Sequence, residues 1–318
     1  MTYTAGQPIQ AVDYNTFAQG GSSPDNNVAN VNTIWGTGTL DKGWGQSSPV
    51  ATVTAATDLV TATQWTTLFN RFVTIANQTN TSITAIVNPT AGDTIAVKNN
   101  FSTNLSSCFT NRNNAVGVGT TITASGVATR STAWSISLTA THTITFADAN
   151  SARYFFNAGG RITWAGARSG GTASSQNTAW SNLLTACGTL NWTTGTSTQT
   201  IAATSYTGTT KTGGSGTPST LLTGVGFYDF TTSDQEVFKQ LDATYLYTTN
   251  FVSINVKANA AAGSATVITL TVLFSDAYAG ATTVDGTLTS TITAVQPSTT
   301  YLSNTWGTPV LSSSISGS

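Results

Sequence analysis

Charge is scarce in this chain. Asp, Glu, Lys and Arg make up 7% of its 318 residues, against about 25% in typical soluble proteins. The 11 basic and 12 acidic residues leave a net charge of −1. No field therefore exists to gather nucleic acid or anionic lipid, and neither is expected as a partner. Histidine occurs once, as His142, so a multi-histidine metal centre is excluded. Cys108 and Cys187 show no CxxC or metal spacing and read as buried small hydrophobes rather than a disulfide. No run approaches the roughly 18 apolar residues of a membrane helix. Met1-Thr2-Tyr3-Thr4 offers neither a basic nor an apolar leader region, which predicts a start in the cytosol. Internal repeats and sustained heptads are missing, which argues against a solenoid or a coiled-coil shaft.

Hydroxyls fill the space that charge normally occupies. Thr alone is about a fifth of the chain, and 8 Trp, 9 Tyr and 13 Phe stand ready for burial. Disordered chains lack aromatics and carry high charge, so this one folds. Its surface is neutral and hydroxyl-rich, and a near-zero net charge favours self-association. A homo-oligomer is expected.

The patterning changes along the chain. Ile9, Val12, Tyr14 and Phe17 suit a short helix, broken by the stretch from Gly20 to Asn27. Two Trp-Gly pairs follow, Trp35-Gly36 and Trp44-Gly45. Glycine beside a buried tryptophan lets a second backbone come close. The clearest helix runs over 62–78, with Thr61 as N-cap and Trp65, Leu68, Phe69, Phe72 and Ile75 on one face. From about Ile83 the residues turn to Thr- and Val-rich alternation, the period of strands with one wet face. Strands are predicted at 120–123, 134–139, 143–146, 161–166, 251–257, 265–274 and 287–295. Short helices are predicted at 148–157 and 175–186, a helical turn at 233–241, and a flexible loop at 207–218. The expected fold is mainly β, a β-sandwich or jelly-roll-like body with a few short helices, most of them near the N-terminus. The division expected is a helix-containing docking region, 1–82, and a β-rich body, 83–318.

Little here points to catalysis. A lone strand histidine among hydroxyls, His142, reads as a surface residue, and no GxSxG nucleophile motif is present. Gly36, Gly38, Gly43 and Gly45 lack the Lys-Ser/Thr ending of a phosphate loop. Glycosidases need two carboxylates in a cleft, and Asp229, Asp234, Glu236 and Asp242 form the main acidic cluster. Ser233 and Glu236 read there as a capping box, which accounts for the acids without catalysis. Asp276 and Asp285 cap turns or touch a cation. Arg161 and Arg168 fork onto carbonyls or a carboxylate rather than an anion. Neither enzymatic activity nor any cofactor or metal is expected. Trp35, Trp44 and Trp65 are the candidate anchors of the N-terminal region, packing either into its own core or against a neighbouring protein.

Several of these segments carry a resemblance: Ile9-Gln10-Ala11-Val12-Asp13-Tyr14-Asn15, Ile34-Trp35-Gly36-Thr37-Gly38, Gly43-Trp44-Gly45-Gln46 and the run Val60 to Leu68. Arg161-Ile162-Thr163-Trp164, Arg168-Ser169-Gly170-Gly171-Thr172, Phe227 to Thr232 and Asp285 to Thr291 extend it over most of the length. Together they resemble uncharacterised virion structural proteins of tailed phages, notably of cyanobacterial and other marine hosts. The resemblance implies a tail, neck, baseplate or fibre part that self-assembles, docks on other virion proteins and leaves the host by lysis. The alternative is a receptor-binding fibre or spike head whose exposed Tyr278, Tyr301 or Trp306 would stack on host surface glycans. No functional residues carry over from the family.

Overall fold

The computed structural model describes residues 11–20, 29–54, 60–90, 98–195, 197–280 and 282–317. Within these lie six helices: α1 (Ala11–Gln19), α2 (Val31–Trp35), α3 (Ala62–Gln78), α4 (Lys98–Thr110), α5 (Ala149–Asn157) and α6 (Ser175–Cys187). The strands are β1 (Val118–Ile122), β2 (Val127–Arg130), β3 (Ile136–Thr145), β4 (Arg161–Ser169), β5 (Thr189–Trp192), β6 (Gln199–Ile201) and β7 (Thr204–Tyr206). They continue as β8 (Thr209–Thr212), β9 (Thr220–Leu221), β10 (Gln235–Leu241), β11 (Phe251–Ala258), β12 (Val267–Asp276), β13 (Thr287–Pro297) and β14 (Val310–Gly317). The protein is mostly β, as its alternation predicts.

Two six-stranded antiparallel sheets face one another. One runs β14-β3-β12-β11-β10-β9. The other runs β1-β13-β4-β5-β8, with β2 also on β13. A small pair, β6-β7, stands apart. Period-two patterning decides the faces. Along β3, Leu138, Ala140, His142 and Ile144 point inward while Thr139, Thr141 and Thr143 point out. On β13, Leu288, Ser290, Ile292 and Ala294 face the interior. Trp164 from one sheet reaches Phe274 from the other, ring centroids 6.5 Å apart. One hydrophobic core runs from Tyr14 through these layers to Leu311 and includes α1, α2 and α3.

The helix at 62–78 forms where its periodicity places it. Thr61 caps Gln64 N, and the Gln64 side chain returns to Thr61 N at 2.7 Å, a full capping box. Its whole apolar stripe is buried. Helix α5 is buried on every side from Ser151 to Asn157 and is capped by Asp148. Helix α1 begins at Ala11, with Ile9 and the break at 21–27 outside the described residues.

Three expectations are corrected. The turn at 233–241 is strand β10, hydrogen-bonded between β9 and β11. Burial of Val237 and Phe238 within a two-sided ladder outweighs the local capping pattern. The loop at 207–218 contains β8, paired with β5 from Thr189↔Thr212 to Trp192↔Thr209. Helix α4 lies in a stretch assigned to strands; Phe101, Leu105 and Cys108 fall at helical spacing and are buried, but Asn, Ser and Thr surround them. Helices α5 and α6 lie within the β-rich region, where short helices at 148–157 and 175–186 are predicted.

Candidate functional site

The most elaborate polar construction joins the Trp-Gly loop to α5. After α2 the chain leaves at Gly36 and returns beside itself, with Trp44 N on Ile34 O, Gly45 N on Gly36 O and Gln46 N on Trp35 O at 2.8–3.0 Å. Gly43, at φ +84°, sits against the backbone of Gly36 and Gly38, where a Cβ would overlap both. Gly45 lies against the Tyr154 ring in the same manner. The glycines thus serve the close approach that their placement beside tryptophan predicts.

Side chains from the body then grip this loop by its carbonyls. The Arg153 guanidinium donates to Gly38 O, Leu40 O and Lys42 O. Asn157, one helical turn on, donates from Nδ2 to Gly43 O and Leu40 O, each at 3.0 Å. The hydroxyl of the half-buried Tyr228, its pKa pushed upward by desolvation, adds a 2.7 Å bond to Leu40 O. Arg112 pairs with Asp41 and also bonds Asp41 O. The sequence reading missed this clamp; its signal was an Arg153/Asn157 pair at helical spacing in a chain with few arginines.

All three candidate tryptophans lie in the chain's own interior. Trp44 is 1% exposed, and its Nε1 donates to Arg112 O and Asn157 O at 3.0 and 3.2 Å. Trp35 donates to Ser47 O and carries the Arg71 guanidinium on its face at 3.8 Å. Trp65 packs edge-on to Tyr14 at 5.4 Å and beside Phe17 and Phe69.

Beside the clamp opens a cavity of about 200 Å³, lined by Leu40, Asp41, Asn113, Thr194, Tyr228 and Asp229 among others. Its carboxylates are already engaged: Asp41 by Arg112 and Lys42, Asp229 by Gly226 N. Among the described residues the cavity presents hydrogen-bonding groups without an assembled nucleophile and base.

The remaining candidates disperse. Asp234 pairs with Lys257 at 3.3 Å, Glu236 accepts from Thr220, and Asp242 accepts from Thr244 N. The acidic residues therefore serve separate local bonds. Asp285 accepts from Thr172 N and Oγ1, Asn177 Nδ2 and Arg168. The Thr172 bonds, before the rest, hold its carboxyl below the usual range. Arg168 makes the predicted fork, bonding Asp285 O, Asn177 O and Gly170 O. Arg161 does not; it lies over the Tyr206 ring at 5.1 Å, with Nε and Nη1 buried and unbonded. Asp276 is buried and accepts from Gln176 Nε2 (2.5 Å), Asn250 Nδ2 (2.7 Å) and Trp180 Nε1 (3.4 Å). Burial raises its pKa.

His142 is corrected outright: it is fully buried. Its Nε2 meets Ser290 Oγ at 2.8 Å and its Nδ1 meets Ser313 Oγ at 2.7 Å. Trp164 Nε1 donates to the same Ser290 oxygen. The two hydroxyls make burial of a neutral imidazole tolerable. They come from strands β13 and β14, far along the chain, so the surrounding sequence could not announce them. Among the described residues no group of three or more His, Cys, Asp or Glu stands together to hold a metal ion. Cys108 and Cys187 are free, buried thiols, as their spacing predicts. Of the glycan-stacking candidates, Trp306 is buried, Tyr278 packs on Tyr247 at 4.8 Å, and Tyr301 is 36% exposed.

No helix among the described residues is long and apolar enough to cross a membrane. Comparison of the chain with protein-family models, with curated proteins and with solved structures finds no match in any of the three.

Proposed function

We propose that this protein is a non-enzymatic structural component of a tailed phage particle, a tail, neck, baseplate or fibre part that self-associates and docks on other virion proteins. The observation that carries the reading is the outer surface of the sandwich. On one sheet, Thr139, Thr141 and Thr143 of β3 stand beside Leu273, Thr271 and Thr269 of β12 and Ser316, Ser314 and Ser312 of β14. On the other, Thr287, Thr289, Thr291 and Thr293 of β13 stand beside Ser169, Ala167, Ala165 and Thr163 of β4. These positions are half-exposed or exposed. Burying such a surface strands no ionised group, whereas burying an ordinary charged surface costs several kcal/mol per unpaired ion. A permanent assembly is the setting that rewards it. The resemblance of segments along the chain to phage virion proteins supplies the kind of assembly. Labelled antibody against the chain, applied to purified particles and viewed by electron microscopy, is expected to decorate one fixed place. Particles that lack the chain altogether would overturn the reading.

One observation favours a second reading, a glycan-binding head. Tyr245 is 85% exposed at the β10–β11 connection, beside Leu246 and near the Tyr247–Tyr278 ring pair. Exposed aromatic rings offer faces on which sugar rings stack. In that case purified protein binds host cells and Tyr245→Ala releases it, while particle assembly stays intact.

A further inference from the structure

We propose that β14 is the edge through which two copies of the chain pair, antiparallel and about a two-fold axis at Ser313. This rests on the self-association in the reading above but not on a place in a phage. Strand β14 ends its sheet and pairs with β3 alone, in unbroken register from Val310↔Thr145 to Gly317↔Leu138. Among the described residues no backbone hydrogen bond reaches its other rim. Strand β2 of the facing sheet comes close to β14 but shares no backbone hydrogen bond with it. Ala128 of β2 is paired with Ser290, which bonds His142, which in turn bonds Ser313. Gly126, next to β2, packs against Leu311. Small residues at 126 and 128 let the two sheets close there, and among the described residues the backbone groups of that rim stay unpaired.

Natural proteins protect such rims with charge, proline, bulges or brevity. Strand β14 uses none of these. It has eight residues, Val-Leu-Ser-Ser-Ser-Ile-Ser-Gly, without charge or proline, and Val310 is 65% exposed. A row of free N–H and C=O groups at strand spacing fits another extended strand. The sequence says which one. About Ser313 it reads the same in both directions: apolar, Ser, Ser, Ser, apolar. A two-fold interface must be self-complementary. Pairing β14 with itself sets Leu311 opposite Ile315 and Ser312 opposite Ser314. Inward apolar residues then continue the core side, outward serines continue the hydroxyl face, and no charge meets another. Two six-stranded sheets become one continuous sheet of twice the width.

The test is a charge swap at the two exposed serines, read by sedimentation on the full chain. Wild type is expected at twice the 32.8 kDa chain mass or a multiple of it. Ser312→Lys with Ser314→Lys places like charges opposite each other and is expected to remove the dimer step, with an unchanged circular-dichroism spectrum. Ser312→Glu with Ser314→Glu is expected to do the same, and mixing the two variants restores pairing as a heterodimer. If the lysine variant associates as strongly as wild type, the β14 edge is wrong and self-association survives elsewhere. If wild type stays at 32.8 kDa at high concentration, both ideas fall.

Discussion

His142 keeps its imidazole neutral because a charged ring would have only two serine hydroxyls for company, and burial pushes its pKa down to about 4. The unfolded chain carries an ordinary histidine near pH 6.5. Above that pH both states are neutral and the residue contributes no pH dependence. As pH falls from about 6.5 to 4 the unfolded state takes up the proton first, so stability is lost, by about 3 kcal/mol at the lower end. Urea unfolding of wild type and His142→Asn across this range is expected to show a steeper acid loss in wild type; parallel curves would refute it. Asp276 offers a second test. Its carboxylate satisfies three buried donors, from Gln176, Asn250 and Trp180. Asp276→Ala orphans all three and is expected to cost about 3–5 kcal/mol in denaturant unfolding. Neither role was legible locally, because the partners of His142 lie 148 and 171 positions away.

Legibility at the scale of elements followed the strength of the side-chain period. Helix α3 could be read with its bounds because six apolar residues repeat on one face and Thr61 precedes them. Strands β11, β12 and β13 could be read because their buried and half-buried residues alternate almost without interruption. Helix α4 could not, since Asn104, Ser106 and Ser107 dilute its stripe. Strand β10 was misread because Ser233 and Glu236 imitate a cap, whereas Ser233 O accepts locally from Thr231 Oγ1 and Glu236 accepts across the sheet from Thr220. The α3 cap gives a graded prediction: Thr61→Ala is expected to lower stability by about 1 kcal/mol. Trp65→Ala empties a site shared with Tyr14, Phe17 and Phe69 and is expected to cost about 3–5 kcal/mol. A Trp65→Ala protein that melts like wild type would show that α1 and α3 are not held by this ring. The carbonyl clamp was illegible for a different reason. Arg153 and Asn157 read main-chain atoms of residues 38–43, and backbone acceptors leave no mark in a sequence.

The molecule as a whole carries few charges and a net charge of −1, and this sets how the proposed self-association should respond to salt. Screening weakens contacts between ions and leaves contacts between hydroxyl and apolar surface largely alone. If the proposed oligomer forms, raising ionic strength from about 0.05 to 0.5 M is therefore expected to leave it intact; its dissociation would point to ion pairs instead. The same architecture also governs when the chain can fold. Strand β3 pairs with β12 and β14, and β4 pairs with β13, so the central ladders of both sheets join segments separated by most of the body. Roughly 120 residues separate the end of β3 from the start of β12. At roughly 5–20 residues per second of synthesis, β3 waits many seconds for its first sheet partner. Helices α1 to α4 need no such wait, since their bonds are local. Assembly on the ribosome thus has a built-in order: a helical seed gathers early around Trp65, and the sheets zip up only when β12 and β13 emerge.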